Sequence, residues 1–94
     1  VQELNWWHIV NQDSVDAWVH FYDSATAAAV TVGTTTPIVT LWIPASSGVD
    51  AGSPVVFDNG RGLEFSLGIV IAATTTLAGS AAPTNGELVN LVYV

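Results

Sequence analysis

Two histidines, His8 and His20, and eight Asp and Glu side chains are where acid–base or metal chemistry would have to start in these 94 residues. With Asp13 or Asp16, the imidazoles offer donors of the kind a transition metal takes. On two strands the histidines could be neighbours across a sheet, but both read more simply as structural side chains, His20 beside Trp18 and Tyr22 on the wetter face of its strand. A metal site, however, wants three or four ligands at a fixed spacing, and no such pattern stands in the sequence. Ser14, Asp16 and His20 are the residue types of a hydrolytic triad. No nucleophile elbow accompanies them, and closeness along the chain does not create triad geometry. Asp50, Asp58, Glu64 and Glu87 are the pool for a glycosidase carboxylate pair, and Asp50 with Asp58 for a loop calcium site. All four read more simply as solvated carboxylates on loops and strand faces. The expectation is no catalytic residue, no metal and no cofactor.

Side chains suited to recognition are better represented. Trp6 and Trp7 are adjacent, so on a strand they point to opposite faces, one inward and one outward. Trp18 lies on the face opposite Val19 and Phe21, and Trp42 shares a face with Ile38 and Thr40. Exposed Trp and Tyr are frequent anchors at protein interfaces. Arg61, the one strong cation, lies between Gly60 and Gly62, where the backbone approaches closely and a bidentate pair with a neighbour's carboxylate is feasible. Trp6, Trp7, Trp18, Tyr22, Trp42, Arg61 and Tyr93 are therefore the expected interface residues. A row of exposed Trp and Tyr would alternatively stack on sugar rings, as in a carbohydrate-binding module.

These side chains must be positioned by strands, because the dominant period is two. In Val15–Tyr22, Val15, Ala17, Val19 and Phe21 alternate with Asp16, Trp18, His20 and Tyr22, the pattern of a half-buried strand. Five further segments read as strands: Glu3–Val10, Pro37–Ile43, Pro54–Phe57, Leu63–Ile71 and Glu87–Val94. The prolines can stand only at strand ends or on an edge. The last strand is apolar on both faces near its end and reads as central to a sheet or covered by a partner. Asp58-Asn59-Gly60 suits a tight turn, Asn11–Ser14 is turn-rich, Ser24–Ala29 is too short for a stable helix, and Ala78–Gly86 is a long connection. Short strands separated by turn signals predict one all-β domain over residues 1–94, a small β-sandwich or jelly-roll-like fold.

Composition narrows the partners. Half of the residues are hydrophobic, there is no cysteine, and the net charge is −7 with no Lys. Nucleic acid and anionic lipid both need a basic patch, which one Arg cannot build. The longest apolar stretch, Leu67–Ala73, is far short of the roughly 20 residues of a membrane helix, and the first residues lack the basic start and apolar run of a signal peptide. A chain this small leaves much surface per residue, so its apolar surplus is expected to be covered by a neighbouring subunit.

From Val19 onward the succession of strand ends and turns resembles a group of small bacteriophage structural proteins. The resemblance runs through Val19–Asp23, Ser24-Ala25-Thr26, Val32–Pro37, a strand stopping at Ile43-Pro44-Ala45, Gly62–Ile69 and a closing Gly86, Asn90, Leu91, Tyr93 pattern. It covers about four fifths of the chain and contains no catalytic residue. The Trp6-Trp7 pair and the lack of Lys depart from that group. The resemblance implies a virion component, a capsid decoration (cement) or tail- and fibre-associated protein. It would form homo-oligomers, taken as trimers, and pack on other virion proteins such as a major capsid protein. A secreted bacterial fibre subunit is the related alternative.

Overall fold

A computed structural model describes residues 2–45, 55–84 and 86–94, with backbone alone over 55–61. Among the described residues six strands form two three-stranded antiparallel sheets. The first sheet has the order β4–β1–β6, from β1 (Gln2–Asn11), β4 (Val55–Phe65) and β6 (Glu87–Tyr93). The second has the order β3–β2–β5, from β2 (Ala17–Asp23), β3 (Val39–Ile43) and β5 (Ile69–Thr74). The domain is all-β as expected, and the short Ser24–Ala29 stretch contributes only one 3-10 turn at Ala27–Ala29.

One buried cluster draws on both sheets: Leu4, Trp7 and Ile9 of β1, Val19 and Phe21 of β2, Ile43 of β3 and Phe65 of β4. Strand alternation explains most of it, since Val19 and Phe21 are two apart, as are Trp7 and Ile9. Leu4 and Trp7 are three apart and would face opposite sides on a regular strand. A bulge in β1 solves this: against β6, Leu4 is opposite Tyr93 and Trp6 opposite Val92, so Asn5 is an extra residue that resets the alternation. The β1–β4 pairing jumps from Leu4 opposite Leu63 to Trp6 opposite Asp58, so positions 59–62 of β4 face only Asn5. Gly62 adopts φ 66° there, and a Cβ at that position would meet Glu3 Cγ at 2.7 Å and the Leu4 carbonyl at 2.8 Å. The expected tight turn at Asp58–Gly60 is thus a bulge inside β4. Asn and Gly supply the local freedom that either feature needs.

Two further expectations are corrected. The alternating run Leu63–Ile71 is not one strand; it breaks at Ser66–Gly68, where the chain passes from the first sheet to the second. The cause lies far away in sequence: the Asp23 carboxylate accepts the N–H groups of Ser66 at 3.0 Å, Leu67 at 2.7 Å and Gly68 at 3.3 Å. Gly68 is needed because a Cβ would lie 2.7 Å from the Ser24 carbonyl. Secondly, of the two placements expected for the last strand, central or covered by a partner, the central one is excluded, since β6 lies at the edge of its sheet. Its tip closes the chain on itself, with Glu3 and Val94 exchanging backbone hydrogen bonds of 2.9 and 3.0 Å.

Candidate functional site

The outer face of the second sheet is built by the residues that alternate with Val19 and Phe21. Its cross-strand rows are Trp42–Trp18–Thr74 and Thr40–His20–Ala72, with Tyr22 opposite Val70. Although they point away from the core, His20 and Tyr22 are buried, because residues 33–37 and 77–79 close over them. The first of these loops is braced by the N–H groups of Thr34 and Thr35 donating to the Thr31 carbonyl at 2.9 and 2.8 Å. Gly33, at φ 90°, lets it run against Gly79 and Ser80, where a Cβ would find Ser80 Cβ at 3.3 Å.

His20 is fully engaged. One ring nitrogen, Nδ1, lies 2.8 Å from Thr40 Oγ1, and the other, Nε2, lies 2.8 Å from Thr74 Oγ1. The Thr74 hydroxyl donates its only proton to the Thr76 carbonyl at 2.7 Å, so it must accept from His20. Nε2 therefore carries the hydrogen, and Nδ1 accepts from the Thr40 hydroxyl. Burial pushes the imidazole pKa below its ordinary value, which keeps this neutral tautomer. Burial also raises the Tyr22 phenol. The space above these residues is a cleft of about 330 Å³ between the two loops, walled by Thr34, Thr35, Thr36 and Pro37 on one side and Leu77, Ala78 and Gly79 on the other.

Elsewhere the surface is apolar rather than chemical. At the other end of the same face Trp42 is 56% exposed beside a half-buried Trp18. On the outer face of the first sheet Trp6 stacks on His8, with ring centroids 6.1 Å apart, and the neighbouring Val92 and Leu88 are about half exposed. Between the β5 and β6 edges, Ile69, Ile71, Leu91, Tyr93 and Gln2 line an opening of about 200 Å³.

The buried carboxylates gather near the start of β6. Asn11, wholly buried, donates to the carbonyls of Val15 and Ile43 and accepts the Asp13 N–H at 2.8 Å. Asp13 in turn accepts the N–H groups of Ser14 and Thr84 at 2.8 and 3.1 Å. Glu87, opposite Asn11 in the β1–β6 register, fares worse. Both its carboxylate oxygens are closed off from water, and no donor from another described residue reaches them. Desolvation first and the nearby Asp13 charge second raise its pKa, against a smaller opposing effect of its own backbone N–H.

The expected site residues separate accordingly. Trp42 and Tyr93 present more than half of their surface, and Trp6 and Trp18 part of it. Trp7 is withdrawn into the core, stacked on Phe21 at 5.4 Å, and Tyr22 is the floor of the cleft; neither offers an open face. The Arg61 side chain lies outside the described residues, as do Asp50 and the side chain of Asp58. His8 and His20 sit in different sheets and are not neighbours. Ser14 and Asp16 do not join His20, since the Asp16 carboxylate accepts the Ala45 N–H at 2.9 Å. No group of three or more metal-ligating His, Asp or Glu side chains exists among the described residues. The residues missed from sequence are Thr40 and Thr74, whose roles depend on strand register, and the loop threonines of the cleft. In comparisons with known proteins the chain matches no family model, no curated protein and no solved structure.

Proposed function

We propose that this chain is a structural subunit of a virion, a small β-sandwich that works by packing against sister copies and against a shell or tail protein. The observation that carries the packing is the unsealed flank of the two sheets. Ile69, Ile71 and Leu91 remain half-buried there, beside a 56% exposed Tyr93. The last strand adds Leu88, Val92 and Val94 to the same apolar surplus. Covering such side chains contributes about 25 cal/mol per Å² before the cost of association. Edge strands with unpaired backbone also need cover. The sandwich reading rests on a single core shared by two sheets in an envelope only 15 Å thick, which suits two layers at the usual spacing of about 10 Å. The virion context rests on the phage-like succession of strand ends and turns.

Light-scattering mass across a concentration series tests the oligomer, with a trimer expected. The exposed positions of β6 provide variants that spare the core: Tyr93→Asp on the flank, with Val92→Asp on the adjoining outer face, is expected to leave a folded monomer. A wild-type chain that stays monomeric at high concentration and shows no affinity for a purified phage shell overturns the reading.

A further inference from the structure

The cleft above His20 and Tyr22 is separate from the apolar flank. Its volume, about 330 Å³, is at the low end of ligand pockets, which run from roughly 300 to 1,000 Å³. That is room for one small ring rather than a chain of them. Its chemistry is equally narrow. Among the described residues no lining side chain carries a charge: the walls are Gly33–Pro37 and Leu77–Gly79, and the floor is Tyr22, Thr40 and a neutral His20. An anion finds no cation there and meets the repulsion of an acidic chain. A cation finds no carboxylate. A purely apolar guest would strand threonine hydroxyls away from water, and a purely polar one would leave Pro37 and Leu77 without a partner.

What satisfies both sets of walls is an uncharged ring with hydroxyls at its rim and a C–H face. Threonine hydroxyls both donate and accept, as a polyol requires. The loops are held before any guest arrives, by the Thr31–Thr35 bonds and the close approach of Gly33 to Gly79 and Ser80, which lowers the ordering cost of binding. We infer that this cleft binds a single neutral sugar residue. Thr34 and Thr36 supply hydroxyls from one wall, while Pro37 and Leu77 meet the C–H face.

The test is a titration of the full ¹⁵N-labelled chain with glucose, galactose and N-acetylglucosamine, followed by amide shifts. At least one of them is expected to move Thr34, Thr35, Thr36 and Gly79, with the weak affinity of so small a guest. Glucuronate and glucosamine, bearing opposite charges, are expected to leave these amides in place. Thr36→Val removes a hydroxyl without changing size, and Ala78→Trp blocks the exposed mouth; each is expected to weaken binding at least about tenfold. Methyl glycosides that bind as well as the free sugar identify a glycan end as the source, and loss on methylation identifies free sugar. No shift with any neutral sugar, equal shifts with the charged ones, or binding indifferent to both variants overturns the proposal. Mass measured on the same samples keeps a failure of the oligomer distinct from a failure of the cleft.

Discussion

Two polar groups are buried in this domain under different conditions. His20 stands on β2, the middle strand of its sheet, with Thr40 on one flanking strand and Thr74 on the other. Glu87 stands at the start of an edge strand, beside Asp13, with its oxygens shut off from water and unmatched by any other described residue. A central position offers partners from both sides, whereas an edge offers them from one. The first arrangement stabilises the fold through its polar atoms; the second is tolerated despite them, because burying an unpaired charged group is costly.

Substitutions that break this contrast are expected to differ in sign as well as size. The largest loss is expected for His20→Leu, which takes the acceptor from the Thr40 hydroxyl and the donor from the Thr74 oxygen beneath the covering loops: about 3 kcal/mol, read from chemical denaturation. Gly68→Ala is expected to cost about 2 kcal/mol by forcing a methyl against the Ser24 carbonyl, with denaturation again the measurement. Asp23→Ala removes the acceptor of three N–H groups at the same crossing between sheets and is expected to lower the melting temperature at pH 7. Those hydrogen bonds, that of Leu67 foremost, hold the Asp23 carboxyl below its usual range of about 3.8. The stability it contributes is present above that range and is lost as pH falls through the folded value. Glu87→Gln is expected to raise stability at pH 7, by about 0.5 kcal/mol once solvent screening of a half-buried group is allowed for.

A pH series sharpens the comparison further. The His20 pKa is lowered on folding from 6.5, so its contribution is complete above that value and is lost as pH falls toward the folded one. The Glu87 pKa is raised from 4.5, so its contribution is complete below that value and is lost as pH rises through the folded one. Melting curves of wild type and Glu87→Gln are expected to converge near pH 4 and separate above it. A difference that stays constant with pH would show that Glu87 titrates alike in the folded and unfolded chains.

Much of this architecture was legible in two-residue alternation. The run Val15–Tyr22 marked β2 and its two faces, and the Trp6-Trp7 pair divided as adjacent strand residues must. The failures have one physical origin, contacts between residues distant in sequence. Leu63–Ile71 alternates as well as any strand, yet Asp23, more than forty residues earlier, fixes a turn in its middle. Asp58-Asn59-Gly60 suits a hairpin, and only pairing with β1 makes it a bulge. The bonds of His20 to Thr40 and Thr74 follow from register, which no local pattern announces. The cleft could not be read at all, since its walls come from two loops that meet only after both sheets exist.

The mutual bonds of Glu3 and Val94 carry a mechanical consequence. Force applied to the two ends of the chain would load β1 and β6 from adjacent tips of an antiparallel pair, so their bonds would yield one after another, like a zipper, instead of sharing the strain in shear.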